Sequence, residues 1–427
     1  MNIDLISAIV FFIILYTIFF IFKNKFETQG LFTMYKTKIG LKLMDRISTK
    51  DDNTSMQIYG IAIAIIGIIL TILGFTFYNL ILIGFGLTLV IIGALIAIKF
   101  NWLGYFSSSV GLLGMIFILI ILVKGVIDIF TKSSLVPTVT PLLPGIEIAP
   151  GIPVLSFWHW ILGILIIATI HEFSHGIYAR LNKVPIKSSG FAFLGPLLAA
   201  FVEPNEKTMA KKRKRKQIHI LSAGPISNII TGILFLIIGS LIISPIVYSS
   251  LEFKGLTINS FSQNSTLNQT GIKTGEIITK INEKQLENIS SIDKILLDYK
   301  PGDNINITTL NNTYNITLGK STSNETKPSL GIYASAYYGD IQFNTKAGLW
   351  FIELFFWLYI ISLGVGLFNL LPLGPVDGGR MFYLVSLTIF KKEKKAKKIY
   401  KIVSWFCIIL IILNLIPFIL KVINSIF

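Results

Sequence analysis

One short motif carries residues whose types and spacing suit chemistry: Ile170-His171-Glu172-Phe173-Ser174-His175-Gly176, within the apolar run from Ser156 to Tyr178. Two histidines at positions i and i+4 of a helix lie one turn apart on the same face, where their imidazoles can share a zinc ion. Glu172 directly follows the first histidine, so its carboxylate flanks the metal without binding it and can accept a proton from water there. The motif therefore predicts two metal ligands and a general base.

The setting of this motif argues against a chance occurrence. Its helix is long enough to cross a bilayer, where a charged or polar side chain costs roughly 2.5–3.5 kcal/mol. The chain has four histidines in all, and two of them form this pair. We therefore expect a metal site, provided that the chain supplies a third ligand. The other two, His159 and His219, are expected to be interfacial residues rather than ligands.

Composition places the whole chain among polytopic membrane proteins. Of its 427 residues, 53% are hydrophobic and 14% are charged, and the mean hydropathy is +0.71. The single cysteine, Cys407, excludes disulfides and cysteine-based zinc sites within the chain. The net charge of +16 could indicate nucleic-acid binding. It is concentrated in clusters beside apolar spans, however, which is typical of cytoplasmic loops on an anionic leaflet.

The apolar runs predict about eight transmembrane helices. The first span is Leu5 to Phe22, and Ile58 to Ile98 is long enough for a helical hairpin of two more. The remaining spans are Ser108 to Val123, Ser156 to Arg180, His219 to Val247, Gly348 to Leu371, and Ile402 to Leu420. The segment Gly190 to Phe201 is apolar but too short to span and contains Gly and Pro. We expect it to be re-entrant or strand-like and to line the site.

Residues 251 to 346 differ from the rest of the chain. Short alternating segments there, such as Ile305 to Thr309 and Tyr314 to Leu318, predict strands. The basic clusters at 23–50, 211–216 and 391–398 all fall on one side of the membrane if every span crosses once. That side is expected to be cytoplasmic, which makes the strand-rich region an extracytoplasmic domain.

The same topology offers a third metal ligand. The fifth and seventh spans run in the same direction, and His171 lies roughly 14 Å along its helix from Arg180, in the cytoplasmic half. Asp377, just beyond the seventh span and displaced from that helix by Pro372 and Pro375, belongs at a comparable depth. Asp377 could instead cap the helix that follows. Because the two histidines need a carboxylate or histidine, we expect it to complete the site, with water as the fourth ligand.

Three motifs in this order resemble the site-2 protease family of intramembrane zinc metalloproteases. They are the His171-Glu172-Phe173-Ser174-His175-Gly176 string, the Gly-Pro-x-x-Asn string ending at Asn228, and the Asn-x-x-Pro string from Asn369 that leads to Asp377-Gly378. The resemblance covers residues 156 to 385. It implies one zinc ion on His171, His175 and Asp377, with Glu172 as the catalytic acid and base. It also implies that Asn228 and Asn369 are polar residues near the site. We expect one or the other to hold the substrate or its oxyanion.

The resulting fold prediction is a polytopic α-helical membrane protein of about eight spans with a small α+β, PDZ-like extracytoplasmic domain. The predicted division is 1–130, N-terminal helices; 131–155, a Pro- and Gly-rich connection; 156–248, first part of the catalytic core; 249–346, the PDZ-like domain; 347–390, second part of the core; and 391–427, the C-terminal helix.

The expected function is regulated proteolysis of single-span proteins within the lipid bilayer of the cell membrane, with no nucleic-acid partner. Two other classes remain open from the residues alone. A metal-ion transporter or sensor would explain intramembrane His and Asp but leaves Glu172 and the extra domain without a role. A scaffold with a relic site would keep its partners after loss of both histidines.

Overall fold

The computed structural model divides the chain into two compact units. The first comprises residues 1–146, Val154–Ile243 and Ile352–Phe427, and the second comprises 147–153 and Ser244–Phe351. The residues described are 3–22, 24, 26–29, 32–48, 62–71, 86, 89–90, 100–131, 138–146, 152–194, 197–249, 251–262, 265, 267, 270–321, 326–339 and 343–426. Most of the predicted hairpin from Ile58 to Ile98 lies outside these residues.

The described part of the first unit is mainly helical. Its helices are α1 (Ile3–Ile21), α2 (Leu41–Ser48), α3 (Ala62–Thr71), α4 (Phe100–Thr131), α5 (Phe157–Leu181), α6 (Glu206–Ala210) and α7 (Lys214–Ile238). A π-helical turn, Gly239–Ile243, leads from α7 into α8 (Ser244–Tyr248) of the second unit. The helix α10 (Phe343–Asn369) begins within the second unit and continues into the first, and α11 (Asp377–Phe390) and α12 (Glu393–Ile426) follow it.

Five segments of the described chain are helical, long and apolar enough to cross a membrane. They are Gly104–Thr131, Phe157–Leu181, Lys214–Tyr248, Thr345–Asn369 and Glu393–Leu420. These coincide with the fourth to eighth predicted spans. Within the first and second predicted spans, the apolar helical segments Ile6–Thr17 and Ala62–Thr71 are shorter. The chain is therefore a membrane protein with five candidate spans among its described residues.

An antiparallel sheet of four strands lies beside these helices in the first unit. Its strand order is β1 (Phe26–Gln29), β2 (Phe32–Thr37), β3 (Ile186–Leu194) and β4 (Leu197–Pro204). The segment predicted to be re-entrant or strand-like thus forms most of a hairpin. The hairpin β1 and β2 was not predicted, because this stretch lies in a loop that we identified only by its basic charge. Strand β4 is an edge of the sheet and packs against α5.

The second unit contains a sheet in the order β12-β5-β6-β8-β9, with β7 paired to β6, and a separate pair of β10 and β11. The strands are β5 (Gly255–Phe261), β6 (Ile277–Ile281), β7 (Lys284–Gln285), β8 (Asn304–Thr309), β9 (Thr313–Thr317), β10 (Gly319–Lys320), β11 (Pro328–Ser329) and β12 (Ile332–Tyr337). The short helix α9 (Ser291–Leu296) follows β7 in the chain. Its core is aliphatic, with Ile258, Ile278 and Ile307 wholly buried. Alternation of buried and exposed residues, as in β8, agrees with the period of two that predicted these strands.

Candidate metal centre

The helix α5 presents both motif histidines to one point. Ser156 caps its first turn, where the Ser156 hydroxyl oxygen accepts a hydrogen bond from the His159 backbone N–H. His175 lies four positions after His171, so the two rings are on one face of the helix and pack edge to face, with ring centroids 4.7 Å apart. Both histidines are buried, with 7% and 9% of their surface exposed. Desolvated imidazoles need polar partners, and these come from other helices.

Asp377 meets the two histidines from α11. Its Oδ2 atom lies 3.1 Å from Nε2 of His171 and 3.1 Å from Nε2 of His175, and these two nitrogens are also 3.1 Å apart. In a tetrahedral zinc site with bonds of 2.0–2.1 Å, neighbouring ligand atoms are about 3.3 Å apart. The triangle of donor atoms therefore has nearly the dimensions of one face of such a site. Among the described residues, this is the group of His, Cys, Asp or Glu side chains whose geometry could hold a metal ion.

Close packing at the start of α11 fixes the position of Asp377. A Cβ atom on Gly378 would collide with the backbone of Leu370 and Leu371, and one on Gly379 would collide with the carbonyl of Leu373. Only glycine allows the helix to begin so near the preceding turn. Asp377 is the first residue of the helix, and Val376 occupies the N-cap position. The Asp-Gly-Gly sequence thus places the Asp377 carboxylate beside the two histidines of α5.

Hydrogen bonds orient both imidazole rings. Nδ1 of His175 lies 2.7 Å from the carbonyl oxygen of Ile220, which can only accept, so Nδ1 carries the proton and Nε2 of the neutral ring keeps its lone pair. The Asn228 amide lies 3.1 Å from Nδ1 of His171. Its Oδ1 atom is buried without a partner among the described residues, and rotating the amide by 180° lets Oδ1 accept the Nδ1 proton. Each ring then turns a lone pair toward Asp377, an arrangement that a cation stabilises.

The backbone of α7 completes the wall of the site at Gly224. A Cβ atom at this position would collide with Nε2 of His175 and lie 2.7 Å from Nε2 of His171. The volume that an ion on these nitrogens requires is therefore open only because residue 224 is a glycine. Sequence reasoning used Gly224 as part of a motif but did not assign it this role. The residues present thus fit a metal ion in both donor chemistry and space.

Substituting Gly224 by Ala should reduce metal affinity by about tenfold to a hundredfold, the range for disturbing the surroundings of a metal ligand. The added methyl group would displace the histidine nitrogens or occupy the space of the ion. Gly364→Ala in α10 is the matched control, because a Cβ there meets no atom within 4 Å. Zinc titration of the two purified variants measures the difference. Equal affinities in both would show that Gly224 does not bound the metal space.

Glu172 faces a cavity of about 440 Å³ that it shares with the three candidate ligands and Asn369. Its Oε2 atom accepts a hydrogen bond from the backbone N–H of Val202 in β4, at 3.0 Å. Asn369 donates a hydrogen bond to the Val365 carbonyl one turn earlier in its helix. Asn228 is wholly buried against His171 and does not line this cavity. The two asparagines therefore occupy different environments.

Glu203 is another carboxylate at the rim of the cavity. Its Oε1 atom accepts a hydrogen bond from Lys187 at 2.9 Å, and its Oε2 accepts one from the Ser188 hydroxyl at 2.8 Å. The bond from Lys187 is the main cause that holds the pKa of Glu203 below its usual value. Glu203 is therefore ionised and paired across the β3 and β4 hairpin, whereas Glu172 is the carboxylate beside the ligands.

The two remaining histidines are buried within the protein, and their expected place at the membrane interface stays a prediction. His159 is 1% exposed, and its Nδ1 atom lies 2.7 Å from the Ser156 hydroxyl oxygen. His219 is 7% exposed and its ring packs edge to face on Tyr105. Neither belongs to the group that could hold a metal.

The profile described as "Peptidase family M50" matches residues 159–412, which include α5, α7 and α11. The chain is also 27% identical over 412 residues to "Uncharacterized protein MJ0971" of Methanocaldococcus jannaschii, covering 94% of this chain and 91% of that protein. These matches give no support to the alternative of a metal transporter or sensor.

Two further similarities are more limited in extent. Over 54 residues, 13% of each protein, the chain is 39% identical to the "Serine protease Do-like HtrA" of Lactobacillus helveticus. The crystal structure of the PDZ domain of an SdrC-like protein from Listeria monocytogenes is 17% identical, with a TM-score of 0.18, and the match covers 19% of this chain and 88% of that domain. The PDZ-like character of the strand-rich region stays a prediction.

Proposed function

Because the chain belongs to peptidase family M50, we propose that it is an intramembrane zinc metalloprotease that cleaves peptide bonds within or near transmembrane segments of other membrane proteins. The observation that carries this proposal is the convergence of His171, His175 and Asp377 on one point, with Glu172 beside them in a cavity. Two of these donors lie in an apolar helix of span length, and the set of two imidazoles and one carboxylate suits hydrolysis by water.

The three ligands and Glu172 have separate roles in the proposed reaction. His171, His175 and Asp377 hold zinc, which when bound polarises the scissile carbonyl and makes water more acidic. Glu172 accepts the proton of the attacking water and delivers it to the leaving nitrogen as the C–N bond breaks. The hydrogen bond from Val202 keeps its carboxylate directed into the cavity. The products are one new carboxylate and one new amine.

The two asparagines support this chemistry from different positions. Asn228, in contact with His171, fixes the ring orientation and tautomer of that ligand. Asn369 lines the cavity and offers its amide to the substrate or to the oxyanion. The oxyanion role that the sequence allowed for either residue thus falls to Asn369 in this proposal.

The substrate must expose its backbone before it can be cleaved, because a helix has no accessible carbonyl. Strand β4 is an edge of the sheet, and its Val202 N–H points at Glu172. Successive residues of a strand alternate in direction, so Ala200 has the same orientation as Val202. An unwound substrate segment added to this edge would satisfy its backbone groups and pass beside Glu172.

The PDZ-like unit has a groove that suits an extended peptide. A cavity of about 370 Å³ is lined by α9 residues such as Ile292 and Leu296, and by Gly331 and Ile332 at the start of the edge strand β12. A peptide could add to β12 as a further strand with α9 beside it. We propose that this unit binds part of the substrate or a regulatory peptide. In this scheme it is extracytoplasmic, and the basic clusters at 211–216 and 391–398 are cytoplasmic.

The proposal is tested by reconstituting the purified protein in liposomes with candidate single-span membrane proteins. We expect cleavage within or near the span, loss of cleavage with a zinc chelator, and recovery when zinc is restored. Product masses locate the cut. Cleavage that continues unchanged under chelation would refute a zinc mechanism, and zinc uptake into the vesicles without any cleavage would favour a transporter.

A further inference from the structure

Among the described residues that line the cavity of Glu172 and the candidate ligands, Arg380 is the only lysine or arginine. It lies three residues after Asp377 in α11, so both side chains project from neighbouring positions on one face of the helix. Its Nη2 atom donates hydrogen bonds to Oε1 and Oε2 of Glu206, at 3.1 and 2.9 Å. A single ion pair thus joins α11 to the start of α6 at the edge of the cavity.

This ion pair can exchange partners at little cost. The two side chains are 45% and 60% exposed, and pairs at such sites typically change an equilibrium by less than about fivefold. One guanidinium nitrogen makes both bonds to Glu206. The donors on Nε and Nη1 have no hydrogen bond recorded within the described part of the chain, and a guanidinium can serve several acceptors.

The ion pair also stands between two cavities. A second cavity of about 430 Å³ is lined by Glu206, Met209, Leu221 and Arg380, which line the first cavity as well. The second cavity includes another cation, Lys397, together with Tyr383 and Tyr400. An anion leaving the first cavity past Arg380 would therefore meet a second positive charge.

Peptide hydrolysis creates such an anion. Water adds across the C–N bond, so that the carbonyl carbon gains oxygen and the nitrogen gains hydrogen, and near neutral pH the new carboxyl group ionises. The first cavity is also lined by the acidic side chains of Glu172, Glu203, Glu206 and Asp377, by His171, His175 and Asn369, and by apolar residues. The Arg380 guanidinium is always charged, and it can stabilise a carboxylate there through charge-assisted hydrogen bonds.

We propose that Arg380 binds the newly formed carboxylate terminus of the cleaved peptide, in competition with Glu206, and directs it toward the second cavity. This inference rests on the proposed protease function and assigns Arg380 and Glu206 to product recognition. Capture of the charged end also keeps it from re-entering the cavity beside Glu172.

The test compares two fluorescent apolar peptides that differ only in a C-terminal carboxylate or amide. Their dissociation constants are measured by anisotropy with the full-length, zinc-loaded protein. We expect tighter binding of the acid, with the acid preference falling about tenfold or more in Arg380→Gln, as for loss of a charge-assisted hydrogen bond. In Glu206→Gln the preference should rise by up to about fivefold, because the competing carboxylate is gone. Attraction of the acid to zinc is common to all these proteins and cancels in the comparison.

Arg180→Gln is the matched control, since it removes a partly exposed arginine paired with Asp45 that does not line the cavity. Its acid preference should equal that of the unmodified protein. If the ion pair of Arg380 and Glu206 were purely structural, Arg380→Gln and Glu206→Gln would change the acid preference in the same direction or leave it unchanged. Either result would overturn the inference. Because binding is measured without turnover, failure to cleave substrates would count against the protease function alone.

Discussion

Replacing Glu172 by Gln is expected to lower the rate of substrate cleavage by about 10²–10⁴-fold, the usual contribution of a general acid and base. Glutamine has nearly the same shape and can still accept the hydrogen bond from Val202 N–H, but it cannot take a proton from water. Zinc content should remain that of the unmodified protein, because Glu172 is not one of the grouped ligands. Cleavage of a reconstituted single-span substrate and metal analysis of the same sample measure both effects.

A suitable control is Glu283→Gln, the same chemical change at an exposed residue of the second unit. Full activity is expected there. Losing a general base usually lowers the rate by at least about a hundredfold. If Glu172→Gln kept more than about a tenth of the cleavage rate of the unmodified protein, the assigned role of Glu172 would be wrong. If it lost zinc together with activity, Glu172 would have to act on the metal site itself.

Replacing Asp377 by Ala should weaken zinc binding by more than about a hundredfold, since losing an outer-shell partner of a ligand already costs up to that much. The substitution removes the carboxylate oxygen that lies 3.1 Å from both histidine nitrogens and leaves a divalent cation with neutral protein ligands. Cleavage should disappear at ordinary zinc concentrations and return only partly with excess zinc. Zinc titration of the purified variant measures the loss.

The competing explanation for Asp377 is a helix-end role, because it is also the acidic residue in the first turn of α11. Such a residue contributes typically 0.3–1 kcal/mol to helix stability through the dipole and would leave zinc binding intact. Asp293→Ala supplies the comparison, since Asp293 is the acidic residue in the first turn of α9. Zinc affinity that is equal in the two variants would assign Asp377 to the helix end only.

The sequence predicted those parts of the molecule that depend on local pattern. Length and hydropathy were sufficient for the fourth to eighth spans, and a break in hydropathy with Gly and Pro identified the segment that forms β3 and β4. The strands of the second unit were predicted from their period of two. Even the placement of Asp377 near α5 followed from a simple count of membrane crossings, although it is some 200 positions away along the chain.

The parts that were missed depend on contacts between distant segments. Strand β2 pairs with β3, with Tyr35 opposite Phe191. The short sequences of β1 and β2 do not indicate that β3 is their neighbour in the sheet. The role of Gly224 becomes visible only when the backbone of α7 lies against two imidazoles. Likewise, Asn228 was predicted to be near the site, but its sequence context does not tell whether it faces the substrate or the His171 ring.

X-ray absorption at the zinc edge of the purified protein tests the central claim most directly, because it counts and identifies the atoms around the ion. The account predicts one zinc ion per chain with two imidazole nitrogens and oxygen ligands at about 2.0–2.2 Å. It also predicts that Asp377→Ala removes this signal or lowers the oxygen contribution. Absence of zinc from the active protein, or a coordination shell that is unchanged when Asp377 is replaced, would contradict the assignment of His171, His175 and Asp377 as the metal site.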